Sequence, residues 1–380
     1  MARSMKAHLP GQLRVVVADD LGFMRIALRQ IIEADGDMRV VGEARNGEEA
    51  VALVRELRPD IVTMDVEMPV MDGIEATRRI ASEVSPPPAI IMVSSHTQAG
   101  AAATIKALRV GAADFVSKES AFARTDLGQI DAELRDKIRQ SADRRRDRRV
   151  NAAIQPEAAS LVREIGDAAI LGRPACHPSG PVDLVAIAVS TGGPSALAIL
   201  LRGLGAIAAP IVVAQHMPRF FTACLAESLN QDTGLLVREG EHRTPVLPGQ
   251  VTILPGGRDG VVAPREGGGF ELRLTLSDSP VHPSADLLFE SAAMVARNPV
   301  AVILTGMGHD GARGAARFVH RGLPVLVQRP DTCVVGGMPG AAIEAGVASE
   351  ALTLGEIAGR LRQWAATADF NPPKSQSAQV

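Results

Sequence analysis

RVVVADDLGFMRIALRQIIE, residues 14–33, sets the reading of the first third of the chain. A short apolar run of β type stops at two adjacent acids, Asp19 and Asp20. The spacing then turns helical, with Met24, Ala27, Leu28, Ile31 and Ile32 on one face. The alternation repeats outward from there. VVGEA, the Asn46-Gly47 turn and a helix to Leu57 are followed by DIVTMD, a helix from Gly73, the breaker SPPP, AIIMVSS, another helix and ADFVSK. Five strands with intervening helices between Leu13 and about Lys118 predict a doubly wound parallel sheet. A second α/β series opens at VDLVAIAV, 182–189, and continues through PIVVAQ, PVAVILTG and LPVLVQ, predicting a second doubly wound parallel sheet. Between Gly249 and Leu276, GQVTILPGG and FELRLTL are separated by glycines, which predicts a β-hairpin excursion rather than another crossover.

These patterns place domains at 12–128 and 182–368, with 129–181 as a linker. The chain has 380 residues, enough for two cores without disulfide or metal staples. Its 46% hydrophobic and 22% charged residues are those of a soluble globular protein, and no apolar run is long enough for a membrane span. The start, MARSMKAHLPGQLR, lacks the apolar stretch of a secretory signal, and Cys176, Cys224 and Cys333 cannot form a fully paired framework. A cytoplasmic protein is expected. A net charge of −3 gives no global reason to expect nucleic-acid or membrane binding. DAELRDKIRQSADRRRDRRV, 131–150, holds eight basic residues and reads as a solvated interdomain helix in preference to an anionic docking surface. The C-terminal NPPKSQSAQV is expected to be disordered.

Asp19 and Asp20 end the first strand and Asp65 the third, so three carboxylates gather at the carboxyl edge of one sheet, where open α/β sheets bind ligands. Isolated acids at strand ends usually cap helices or face water. Three hard oxygen donors together suit a magnesium ion, and Lys118 at the end of the fifth strand can offset added phosphate charge. A carboxylate attacks phosphorus when a metal and an ammonium neutralise the dianion, and Asp65 is the central candidate. The acid pair, MDVEMPVMDG around Asp65, Ser94 ending the fourth strand, and Phe115 before Lys118 closely resemble the response-regulator receiver family. That resemblance implies a flavodoxin-like (βα)5 fold, phosphorylation at Asp65, and magnesium held by Asp20, Asp65 and the Glu67 carbonyl with help from Asp19. It also implies Ser94 and Phe115 as a switch pair, and a histidine kinase as phosphodonor. Leu21 and Glu119 depart from the family pattern.

In AVSTGGPSAL, 188–197, Ser190 sits at a strand-to-helix turn where Pro194 can open the helix. Such a turn binds phosphate as readily as it hosts a nucleophile. The next strand delivers His216 in VAQHMP, and a lone histidine there is more often structural. ILTGMGHDGA adds Asp310 after a third strand, so hydroxyl, imidazole and carboxylate can converge on one edge. His216 would then take the Ser190 proton while Asp310 fixes the imidazole tautomer. The order Ser, His, Asp differs from that of ordinary α/β hydrolases. His282 lines a substrate pocket or is structural, and His242 and Cys224 lack metal-spaced partners, so no catalytic metal is expected in this domain.

Together with HPSADLLFESAA and GGMPGAA, these stretches resemble the catalytic domain of chemotaxis protein-glutamate methylesterases. That resemblance implies Ser190 as nucleophile, His216 as base, Asp310 as its orienter and the Met307 amide as oxyanion donor. The implied substrates are glutamyl methyl esters, and specific glutamines, on methyl-accepting chemotaxis receptors. His309 and Cys333 depart from the pattern. The resemblance further implies that the receiver covers the triad until Asp65 is phosphorylated. Rival readings are a non-catalytic adaptor, which the intact triad argues against, and a transcriptional regulator, for which the glycine-rich second domain is wrong.

Overall fold

The computed structural model describes residues 12–95, 97–118, 132–142 and 176–366. The chain divides into two compact units, Met1–Ala153 and Ile154–Val380. In the first, β1 (Leu13–Ala18), β2 (Met38–Ala44), β3 (Ile61–Asp65), β4 (Ala89–Ser94) and β5 (Asp114–Ser117) form a parallel sheet ordered β2-β1-β3-β4-β5. The order runs outward from β1 in both directions, which opens a crevice at the carboxyl ends of β1 and β3. Both strands are predominantly apolar because helices cover both faces, and Val15, Val16, Val17, Ile61, Val62 and Met64 are all buried, as is Thr63.

The covering helices are α1 (Gly22–Glu33), α2 (Gly47–Leu57), α3 (Gly73–Glu83) and α4 (Gln98–Val110). Met24, Leu28 and Ile32 of α1 point inward at helical spacing. Asn46-Gly47, expected as a turn, starts α2 instead. The Asn46 side chain accepts from the Glu49 amide at 2.9 Å, and Asp72 caps α3 through the Glu75 amide at 2.7 Å.

A fifth helix, α5 (132–142), lies in the stretch expected as linker. Leu134, Ile138 and Ala142, four residues apart, are buried in the same core as Val15, Leu28 and Ile91, so a boundary at 128 cuts off a helix of the first core. The run of charge hides this stripe in the sequence. Its basic residues turn back onto the first unit: Arg135 Nε lies 2.9 Å from Asp35 Oδ2, Arg139 Nε 2.7 Å from Asp37 Oδ2, and Lys137 Nζ 3.3 Å from Asp114 Oδ2. The arginines at 144–149, residues 143–175 of the expected linker and the NPPKSQSAQV tail lie outside the described residues.

The second unit is built on seven parallel strands in the order β15-β14-β13-β6-β7-β10-β8. These are β6 (Leu184–Val189), β7 (Ile211–Gln215), β8 (Leu236–Glu239), β10 (Gln250–Ile253), β13 (Pro299–Ile303), β14 (Val325–Gln328) and β15 (Glu350–Leu352). A separate antiparallel sheet, ordered β11-β12-β9, contains β9 (Pro245–Val246), β11 (Asp259–Pro264) and β12 (Phe270–Thr275). The hairpin excursion is therefore β11-β12, and GQVTIL belongs to the main sheet, against expectation. Val251 pairs with Ile211 on one side and Val237 on the other, so β10 is a buried central strand whose short apolar run carries no periodic signature.

Helices α6 (Gly193–Leu204), α7 (Phe221–Thr233), α8 (Ala285–Val295), α9 (Ala312–His320), α10 (Gly337–Glu344) and α11 (Leu354–Trp364) complete the unit. Helices α8 and α9 share a core in which Phe289 and Phe318 meet edge to face at 5.8 Å. Among the described residues no helix is long and apolar enough to cross a membrane.

Candidate functional sites

At the carboxyl ends of β1 and β3, Asp19, Asp20 and Asp65 place carboxylate oxygens within 4.8 Å of one another, the one such cluster among the described residues. Asp19 and Asp65 are buried and Asp20 is exposed. Lys118 Nζ stands 2.8 Å from Asp65 Oδ2 and 3.1 Å from Asp19 Oδ2. The inner oxygens are held by backbone, with the Leu21 amide on Asp19 Oδ1 at 3.0 Å and the Val66 amide on Asp65 Oδ1 at 2.8 Å. Leu21 thus serves the site through its amide while its side chain is exposed. Burial pushes the Asp65 carboxyl up to about 6 against the pull of Lys118. Burial also opposes the Lys118 charge, but Asp65 and Asp19 hold that ammonium above its ordinary range.

Asp19 Oδ2 is buried without a hydrogen bond and has only its ion-pair contact with Lys118. An under-satisfied oxygen beside two more carboxylates is the donor set of a hard divalent cation. Asp20 and Glu67 border an open cavity of about 550 Å³ beside the cluster. Ser94 is buried at the end of β4, with its hydroxyl donating to the Gly100 carbonyl at 3.2 Å. Phe115 is buried on β5, with Lys137 Nζ 5.3 Å from its ring centre and donating to its carbonyl at 2.7 Å. Only the packing of α5 brings Lys137 to Phe115 and Asp114, so nothing in the sequence marks it. Glu119 lies outside the described residues.

In the second unit β13, β6 and β7 are neighbours, so the loops bearing Asp310, Ser190 and His216 leave one edge side by side. The Ser190 amide donates to the Thr305 carbonyl at 3.0 Å and the His216 amide to the Val189 carbonyl at 3.0 Å. Buried Gln215 ties the two turns together, its Nε2 donating to the carbonyls of Ser190 at 3.0 Å and His216 at 3.2 Å. Position 193 is glycine because a Cβ there would overlap Gln215 Oε1.

His216 Nε2 lies 2.8 Å from Asp310 Oδ2. With the proton on Nε2 toward the carboxylate, Nδ1 is the nitrogen left to accept. Among the described residues Ser190 Oγ has no hydrogen-bond partner, and the Thr191, Gly192 and Met307 amides have no backbone acceptor.

Asp310 is held by contacts that no local spacing in the sequence records. Its oxygens accept from the Ala285 amide at 2.6 Å, the Asp286 amide at 3.0 Å, the Gly311 amide at 3.1 Å and Ser284 Oγ at 3.3 Å. It thereby caps the start of α8. In return Asp286 of α8 accepts from the Gly311 amide at 3.0 Å and the Gly314 amide at 2.7 Å, capping α9. Burial pushes the Asp310 carboxyl up, but His216 and the helix amides outweigh it and hold the carboxyl below its ordinary range. The serine of HPSAD ahead of an apolar helical run was a legible N-cap signal, although its hydroxyl serves Asp310.

A cleft of about 350 Å³ beyond Asp310 is lined by Ser277, Ser279, His309, Asp310 and Arg313 among others. His309 is exposed. Cys333 is buried, its thiol 3.4 Å from the Arg329 carbonyl. His242 Nδ1 accepts from the Leu274 amide at 3.2 Å, a structural contact, and Cys224 is buried. His282 neighbours Asp259, with Nδ1 at 3.0 Å from Oδ1.

The response regulator receiver domain profile matches residues 15–127 and the CheB methylesterase profile residues 185–361. A protein-glutamate methylesterase/protein-glutamine glutaminase of Oleidesulfovibrio alaskensis is 39% identical over 364 residues, covering 91% of this chain and 97% of its own length. One of Thermotoga maritima is 40% identical over 353 residues, covering 92% and 97%. The crystal structure of the Thermotoga maritima CheB methylesterase catalytic domain is 39% identical, with a TM-score of 0.46, covering 49% of this chain and 98% of that one.

Proposed function

The chain belongs to the CheB methylesterase family, and from that premise we propose that it hydrolyses glutamate methyl esters on methyl-accepting chemotaxis receptors, under control of phosphorylation at Asp65. The observation that carries the reading is the 2.8 Å contact between His216 Nε2 and Asp310 Oδ2 on the sheet edge that also presents Ser190.

In this reading Nδ1 of His216 takes the Ser190 proton as Oγ attacks the ester carbonyl. The Met307 amide, which has no backbone acceptor among the described residues, donates to the oxygen as it gains charge. Collapse breaks the bond to the methoxy group, which leaves as methanol with the proton from the imidazole. Water then attacks the acyl-serine with His216 again as base, releasing the glutamate side chain. A glutamine amide follows the same route with ammonia leaving. The acceptor must be a neutral imidazole, and Asp310, held by four donors besides His216, keeps it in the required tautomer.

In the receiver, Asp19, Asp20, Asp65 and the Glu67 carbonyl would hold a magnesium ion, which supplies charge neutralisation for the incoming phosphoryl group. Asp65 attacks phosphorus, Lys118 balances the added charge, and Ser94 and Phe115 relay the change. The phosphodonor is a chemotaxis histidine kinase, the setting is the cytoplasm, and the unphosphorylated receiver restrains the esterase. Methanol release from methylated receptor membranes tests both halves, using full-length protein with magnesium and a small phosphodonor. Loss in Ser190→Ala, and loss of stimulation alone in Asp65→Asn, are the expected results. No release by phosphorylated wild type from competent membranes would leave a receptor-binding adaptor as the better reading.

A further inference from the structure

We propose that Asp259, on the first strand of the hairpin, is a positioning residue for Asp310, acting through Ser284 and braced by His282. The proposal rests on the triad reading above. Asp259 is fully buried, yet all its acceptor sites are filled. Oδ1 accepts from the Ser284 amide at 2.8 Å and His282 Nδ1 at 3.0 Å, and Oδ2 from the Ser277 hydroxyl at 2.7 Å and amide at 3.1 Å. Burial pushes this carboxyl up, but His282, Ser277 and the Ser284 amide outweigh it and keep Asp259 ionised. A buried charge is costly unless its donors are fixed, so a fully satisfied one rigidifies what surrounds it.

What it fixes is the segment that holds Asp310. Ser284 is bonded to Asp259 through its amide and to Asp310 through its hydroxyl, and the next two amides, Ala285 and Asp286, carry the two Asp310 oxygens. The path from the hairpin to the imidazole is therefore short and unbroken: Asp259, Ser284, the start of α8, Asp310, His216. The hairpin sheet supplies none of the proposed catalytic side chains, and this path gives it a role in their alignment. Four donors converge on Asp259, so an amide in its place would turn an NH2 group toward one pair of donors. A displacement of the order of 1 Å in an oriented group costs roughly 100-fold in rate.

The test compares full-length wild type, Asp259→Ala, Asp259→Asn and His282→Gln in methanol release from methylated receptor membranes. The proton resonance of His216 Nε2–H, far downfield while it is shared with Asp310, provides the second readout. Asp259→Ala should lower kcat about 10- to 100-fold with KM within about twofold, and shift the resonance upfield or abolish it. Asp259→Asn should recover part of both, and His282→Gln should lose less. Wild-type kcat in folded Asp259→Ala would overturn the proposal, as would a rate loss with the His216 resonance unchanged. If Asp259→Ala does not fold, Ser277→Ala and His282→Ala each remove one brace, and unchanged kcat and resonance in both would overturn it equally. A Ser190→Ala control that stays active would instead sink the triad reading.

Discussion

Asp310 carries five donors on two oxygens, and only one of them, His216, belongs to the proposed chemistry. The rest are the start of α8 and the residue that follows Asp310, so this carboxylate is structural besides its part in the proposed chemistry. A carboxyl held below its ordinary value contributes stability above its unfolded value, near 3.8, and loses it as pH falls through the folded one. Asp310→Asn should therefore be less stable at pH 7 by about 1.5–3 kcal/mol, the range for hydrogen bonds to charged groups. The gap to wild type should close as denaturant midpoints are taken down from pH 5 toward pH 3. A gap that does not change with pH would mean the loss is steric. Ser190, His216 and Asp310 were legible because each follows an apolar strand. Asp259 and Lys137 were not, because an acid among glycines and a lysine in a basic run each look like ordinary surface chemistry, and Ser284, legible as an N-cap, gave no sign of its bond to Asp310.

The α8–α9 pair shows how much depends on one missing Cβ. At Gly314 a Cβ would lie 2.5 Å from the Asp286 carbonyl and 2.8 Å from its Cα, so α9 can approach α8 only with glycine there. Gly359, in α11, has nothing within 4 Å of the same atom and no left-handed backbone. Gly314→Ala should destabilise by about 1–3 kcal/mol through overpacking. Gly359→Ala should stabilise by up to about 1 kcal/mol through helix propensity. Thermal melts of the two variants check the contrast, and equal shifts would refute it. Strands with longer apolar runs were legible, whereas β8, β9 and β15, of two to four residues each, were not. Sheet membership was not legible at β10, where a four-residue strand flanked by glycines reads as well for a hairpin, nor was core packing at α5, where three apolar residues are outnumbered by charges.

Each of the two units carries its own sheet and its own core. Magnesium held by Asp19, Asp20 and Asp65, as proposed, would stabilise only what folds around those acids, by about 2.7 kcal/mol at 100 times its Kd. Calorimetry of the full chain should show magnesium raising the transition of the first unit and leaving the second unchanged, with Asp20→Ala removing the shift. A shift shared by both transitions would mean the units unfold as one. The sequence by itself determined the two α/β series, the strand ends that bear the acids, the serine and the histidine, and the family resemblance, because strand burial and turn chemistry are local patterns of period and composition. Only the tertiary structure decided which strands are neighbours, that β10 lies inside the main sheet, that α5 completes the first core, and that α8 and α9 cap one another through Asp310 and Asp286. Those depend on contacts between residues far apart in the chain, and no local spacing records which amide a buried carboxylate will meet.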